Sequence, residues 1–239
     1  MLKKILLLSA CVMFGAVTME PSFAGSRNRT TTNSNGKSLN VNRTRTKTAP
    51  GTHTQTGTYT RTGTNGQTRS GSFQGTTNRT YSPETGTSVT GTGTVTNNAG
   101  DTYNVNRNAN YTTNTDGTVT RTGGTTLTDT DGSVQRSVNG TTTYDKANGT
   151  RTSDYNYTTP TGQTYNVDKT STRTGEGTYT RSSTVTNSAG ETVGGSNTTA
   201  TYEYTPGQGW TQTVTGTTTD GETINKTITN TPVPTTPEP

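Results

Sequence analysis

A glycine suited to a turn recurs along this chain at a nearly constant interval, and the interval limits what can lie between. Gly36, Gly66, Gly100, Gly132, Gly162, Gly190 and Gly221 stand 30, 34, 32, 30, 28 and 31 residues apart. A second series, Gly51, Gly86, Gly117, Gly149, Gly177 and Gly209, falls between them. Asn or Asp precedes many of these glycines, as in Asn65-Gly66, Asp116-Gly117, Asp131-Gly132 and Asp220-Gly221. Such pairs tolerate positive φ and are the strongest short-range signal for a β-hairpin. Asn97-Asn98-Ala99-Gly100 and Asn187-Ser188-Ala189-Gly190 fit a type I turn closed by a glycine bulge. A period of roughly 31 residues, turned again at its middle, is that of an array.

Between turns the residues alternate. After Gly100, Tyr103, Val105, Ala109 and Tyr111 share one face, while Thr102, Asn104, Asn106, Asn108 and Asn110 share the other. That is the period of a strand, and no window offers a helical stripe. Thr, Tyr and Val are good strand formers. The hexapeptide GDTYNV at 100–105 returns as GQTYNV at 162–167 and, loosely, as GKSLNV at 36–41. The expected fold is all-β: an elongated antiparallel β-meander of about six to seven hairpin repeats, each of roughly 31 residues. One hairpin alone is marginal, so each repeat needs neighbours on both edges. A solenoid needs a constant coil length, whereas the gaps between turns run from 12 to 20 residues. A membrane barrel needs apolar side chains at alternate positions facing lipid. Here the face that carries Val119 also carries Arg121 and Gly123.

Apolar residues are scarce. Leu, Ile, Val and Phe number 17 among the 215 residues after residue 24, well under the roughly 20% below which disorder becomes the default. A conventional two-layer core cannot be built from them, and disorder is the main competitor to a folded sheet. The regular turns and the alternation argue against it. The first 24 residues carry Lys3 and Lys4, an apolar run from Ile5 to Val17 and a Ser22-Phe23-Ala24 cleavage pattern, which reads as a secretory signal peptide. Leu8-Ser9-Ala10-Cys11 resembles a lipobox, but the apolar run continues past Cys11. Residues 25–230 form the repeat region, and the Pro/Thr-rich 231–239 is expected to be extended and unpaired. The protein is thus expected to be exported, to the periplasm, the cell surface or beyond. Cleavage after Ala24 leaves no cysteine and so no disulfide.

No catalytic constellation is visible, and no enzyme, metal or cofactor role is expected. Hydroxyls abound, but a nucleophile needs an adjacent base. His53 is the one histidine, read as an exposed strand residue. Asp129-Thr130-Asp131-Gly132 opens like a calcium loop but lacks the later oxygen ligands, so it reads as a turn. Thr-x-Thr runs such as Thr58-Tyr59-Thr60-Arg61-Thr62 resemble the ice-binding faces of some antifreeze proteins, without a regular solenoid to carry them. Charge is uneven. Residues 25–99 hold 9 basic residues against Glu84, a net of +8, and residues 100–239 hold 9 basic against 13 acidic, a net of −4. The basic half mixes Tyr with Arg, and Arg43, Arg45, Lys47, Arg61, Arg69 and Arg79 are the expected glycan-binding residues.

As a whole the chain resembles the Thr/Gly/Asn-rich exported repeat proteins of Gram-negative bacteria, through its signal peptide and hairpin repeat. That group implies no shared activity. The expected function is a non-enzymatic, adhesin-like or structural element of the cell surface, binding an anionic polysaccharide or lipopolysaccharide and no nucleic acid. No transmembrane segment is expected after cleavage. The alternative is a self-assembling matrix or amyloid-like fibre subunit, because open sheet edges template pairing with another chain.

Overall fold

The computed structural model describes residues 25–33 and 36–232. The proposed signal peptide and residues 233–239 of the tail lie outside them. Fourteen strands follow in chain order. They are β1 (Gly25–Asn33), β2 (Ser38–Ala49), β3 (Thr52–Thr62), β4 (Thr68–Ser82), β5 (Gly86–Asn97), β6 (Thr102–Thr113) and β7 (Val119–Thr128). Then come β8 (Val134–Asp145), β9 (Thr150–Thr158), β10 (Thr164–Gly175), β11 (Thr178–Asn187), β12 (Thr192–Thr205), β13 (Gly209–Thr218) and β14 (Thr223–Pro232).

Each strand pairs antiparallel with its sequence neighbours, and the sheet closes on itself. Arg27 pairs with Pro232, Thr31 with Ile228 and Asn33 with Lys226, joining β1 to β14. The expected open, elongated meander is therefore wrong: the sheet is a closed barrel. The physical reason is the edge. An open meander leaves two rows of unpaired N–H and C=O groups, and closure alone removes them. Closure also holds Thr231 in the sheet, opposite Asn28.

The two glycine series are the two rims. Loops centred on Gly36, Gly66, Gly100, Gly132, Gly162, Gly190 and Gly221 join the strands at one end, and all these glycines have positive φ. In the loop from Asn97 to Asp101, Asn97 N–H donates to the Asp101 carbonyl at 3.0 Å and Gly100 N–H to the Asn97 carbonyl at 3.1 Å. The Asn97 side chain accepts from Ala99 N–H at 2.9 Å and Asp101 N–H at 3.0 Å. At the other rim the turns are tied to the strand beyond their own hairpin. Gly51 accepts from Arg79 N–H at 2.8 Å, Gly149 from Arg173 at 2.9 Å and Gly177 from Tyr202 at 2.8 Å.

Curling a sheet into a barrel crowds its concave side, and glycines stand where the crowding is worst. A Cβ on Gly75 would lie 3.1 Å from Gly93 Cα, and one on Gly123 2.7 Å from Ala109 Cα. Gly123, at φ +146°, is a mid-strand kink of a kind an L side chain rarely adopts. Elsewhere a ring lies over a glycine of the next strand: Tyr59 over Gly71, Phe73 over Gly57 and Tyr155 over Gly140. The compact core is small, with Val89, Ala109 and Tyr111 buried and Val119 packed against them.

The cationic lumen as candidate functional site

Register assigns every strand residue to one of two faces, because directly opposed residues point the same way. Phe73 opposes Val95, Val95 opposes Tyr103, Val105 opposes Leu127 and Arg121 opposes Thr142. Followed round the barrel, this face collects the strand Val, Ile, Leu, Phe, Tyr and Trp residues outside the bulges. It is also the buried face: on β6, Val105, Ala109 and Tyr111 are buried, while Asn104, Asn106, Asn108 and Asn110 between them are exposed. Residues on it influence one another across several strands. Tyr59 on β3 feels Tyr103 on β6, and Lys226 on β14 feels Arg181 on β11. Side chains converge in this way on the concave side, so this face lines the lumen.

The same face holds the cations. Among the described residues, every Lys and Arg except Lys37 and Lys146, which sit in turns, is on a lumen-facing position. No strand Asp or Glu is. The outward face is Thr, Ser, Asn, Gln and Gly, with the carboxylates of Asp145, Asp154, Asp168 and Glu203. Only the bulges at Ala49, Val134 and Val193 interrupt it. The +8 and −4 halves read from the sequence are thus not two surfaces. The charge is sorted by face, positive within and negative on the rims and wall.

The six cations expected to bind glycan all lie on the lumen face rather than forming an outer patch. Arg43, Arg45 and Lys47 run along β2, opposite Gly57, Gln55 and His53 of β3. Arg61 opposes Arg69 across β3 and β4. Arg79 opposes Val89, and it, Arg69 and Lys47 are exposed towards the strand ends. His53 is not the exposed residue expected: it is buried, and burial, then the charges of Arg45 and Lys47, push its pKa below the ordinary 6.5.

Three groups of lumen residues were not singled out from sequence. On β6 and β7, Arg107 is held below the usual guanidinium pKa, first by burial and then by Arg121, Arg45 and Arg43, against a partial offset from Tyr111. On β8–β10, the fully buried Thr142 donates to Ser153 Oγ at 3.0 Å and shares a hydrogen bond of 2.6 Å with the Tyr155 hydroxyl. The Arg151 guanidinium sits over the Tyr144 ring at 5.2 Å and the Lys169 ammonium over Tyr155 at 5.8 Å. Burial by itself would raise the Tyr155 pKa, but the hydroxyls of Thr142 and Ser153, with Arg151, outweigh it and lower it. On β11–β13, Arg181 donates to the Tyr202 hydroxyl at 2.6 Å, and Tyr202 meets Tyr179 edge-on at 5.6 Å and Trp210 at 5.9 Å. With its amide oxygen turned towards them, Gln212 accepts from Tyr202 at 2.7 Å and from Arg181 at 3.0 Å. The signal for all three was parity: each Arg is an even number of residues from a Tyr or Val of its own strand.

Chemically, the lumen face offers guanidinium, ammonium and phenol donors beside aromatic faces, and among the described residues no strand carboxylate shares that face. Among the described residues no three of His, Cys, Asp and Glu stand together as a metal site. Asp129 and Asp131 instead both accept from Ser133 N–H, at 2.8 and 2.9 Å, closing their turn. Closure also overturns the adhesive-sheet reading and its fibre alternative, since the first needed its basic residues displayed along an extended sheet and the second needed open edges.

No protein-family model and no curated protein matches the chain. Among solved structures it is similar to a porin-like protein from Bacteroides uniformis ATCC 8492, with a TM-score of 0.30 and 14% identity over 88% of this chain and 96% of that one. A closed antiparallel barrel is compatible with an exported protein.

Proposed function

We propose that this protein is a non-catalytic binding barrel of an exported compartment whose lumen holds an anionic ligand. The observation that carries the reading is the sorting of charge: the strand cations line the lumen and no strand carboxylate joins them. Two like unit charges 8 Å apart repel by about 2 kcal/mol at an effective dielectric of about 20. A set of them enclosed by one wall stores such repulsion until an anion relieves it. The aromatic side chains between the cations suit a ligand that also has ring or apolar surface. The wall is built for water rather than lipid: hydroxyls, amides and carboxylates cover it, where a bilayer-spanning barrel needs an apolar band.

Trp210 is the chain's single tryptophan and lies on the lumen face beside Tyr202. Its fluorescence therefore reports on occupancy of the β11–β13 stretch, and calorimetry on occupancy anywhere in the lumen. Titration with a sulfated oligosaccharide and with a neutral one of equal length tests the reading. Saturable quenching by the anionic probe alone, weakening as salt rises, is expected. Equal responses to both probes, or none to either, would reject a ligand-holding lumen. Anion-selective conductance across a planar bilayer would replace the carrier with a pore.

A further inference from the structure

Tyr111 and Arg121 oppose each other across β6 and β7 on the lumen face. Tyr111 is 8% exposed, and its hydroxyl is buried with no hydrogen-bond acceptor of the protein in reach. The Arg121 Nε–H is buried in the same condition. A buried donor left unsatisfied costs about 1–3 kcal/mol, and more when it is charged. Two such donors side by side are hard to account for as packing alone. The surroundings are apolar, with Val89 and Ala109 buried against Tyr111 and Val119 packed on them. Arg107 shares the lumen face of β6, one pleat repeat beyond Ala109. Arg45 and Arg43 of β2, four strands round the ring from β6, are the smallest of the influences that lower the Arg107 pKa, after burial and Arg121. Guanidinium groups of β2, β6 and β7 thus share this stretch of the lumen face with two unsatisfied donors, and no strand carboxylate stands on that face.

Resting on the reading of an anion-holding lumen, we infer that Arg43, Arg45, Arg107, Arg121 and the Tyr111 hydroxyl form a discrete oxyanion site for the phosphoryl or sulfuryl group of the ligand. Guanidinium forks match the oxygens of such groups and form short, charge-assisted bonds with them. Tetrahedral oxyanions carry enough acceptors to satisfy a phenol and several guanidiniums at once, which a single carboxylate does not. Tyr111 Oη and Arg121 Nε are sealed from solvent, so an entering group must part the side chains above them. Binding should accordingly be slower than diffusion allows.

The test uses the whole protein in chloride buffer, with pyrophosphate and sulfate as separate probes, followed by calorimetry and thermal unfolding. Tyr111→Phe keeps the ring and removes only the hydroxyl. Arg107→Gln removes one of the converging charges. Lys146→Gln, in the β8–β9 turn and off the lumen face, serves as a control, and Arg181→Gln, on β11, tests the rest of the lumen. Arg107→Gln should weaken the preferred probe by roughly tenfold or more and Tyr111→Phe by severalfold, while Lys146→Gln changes it less than about twofold. Tyr111→Phe should also raise the melting temperature of the unliganded barrel, because it removes a buried hydroxyl that has no partner. The two probes separate a phosphorylated from a sulfated ligand by which binds more tightly. Wild-type affinity in Tyr111→Phe and Arg107→Gln overturns the site. If Arg181→Gln alone abolishes binding, the lumen still holds anions but at β11–β13, and this site is wrong. If neither probe nor the sulfated oligosaccharide binds, the anion-holding lumen fails as well.

Discussion

His53 shows what the lumen does to a single titrating group. Burial, with Arg45 and Lys47 behind it, lowers its pKa from 6.5. The unfolded chain then takes up the proton first as pH falls. Stability is fully present above 6.5, declines as pH drops below that value, and stops declining once the lowered folded pKa is passed. The expected result is a melting temperature that falls between about pH 7 and pH 5.5, with the fall reduced in His53→Gln. An unchanged slope in the variant would mean that other groups carry the pH dependence. The sequence identified His53 as the lone imidazole but not its burial. Its neighbours in the chain are Thr52 and Thr54, and what buries it lies on other strands.

At the scale of elements, the loops of one rim repeat a single device. Asn97 and Asn187 each cap a five-residue loop by accepting two backbone N–H groups, from Ala99 and Asp101 and from Ala189 and Glu191 respectively. Each also donates its amide to the loop's closing acid, at 2.8 Å to Asp101 and 2.8 Å to Glu191. Asn97→Ala and Asn187→Ala should therefore destabilise by similar amounts, about 1 kcal/mol each, read from urea midpoints. A large effect at one and none at the other would mean that the loops are not equivalent. These elements were the legible part of the chain. Glycines at positive φ and strands of period two are set by residues a few positions apart, so a local reading finds them. The faces were legible as well, since Val119, Arg121 and Gly123 visibly share one. Whether that face turned in or out was not, because sidedness depends on curvature.

For the whole molecule, the register between Arg27 and Pro232 decides more than any local feature. Nothing near either residue announces it. The nearest thing to a signal is the set of glycines on the future concave face, Gly75, Gly93, Gly123 and Gly140, whose missing Cβ atoms let the wall bend. This also explains why the candidate site was only half legible. Arg43 and Arg45 stood out in the basic half, whereas Arg107, Arg121 and Tyr111 belong to the half with net negative charge and meet them only after closure. If the barrel is one closed unit, residues 25–99 and 100–232 made separately should show no cooperative unfolding. A circular permutant that links 232 to 25 and opens between Asn98 and Ala99 should unfold cooperatively near the parent's midpoint. Independent folding of either half would restore an open sheet.

The seam between β1 and β14 also sets an order in time. Every other hairpin can pair as soon as its own two strands exist, but the first strand must wait for the last. Until then the growing sheet presents the N-terminal edge of β1 to its surroundings. Sequence-distant pairings of this kind are slow to form. The period of greatest risk for this protein therefore falls before its final ten residues of strand arrive. A chaperone that shields a bare strand edge is the help such a chain needs until its last strand arrives.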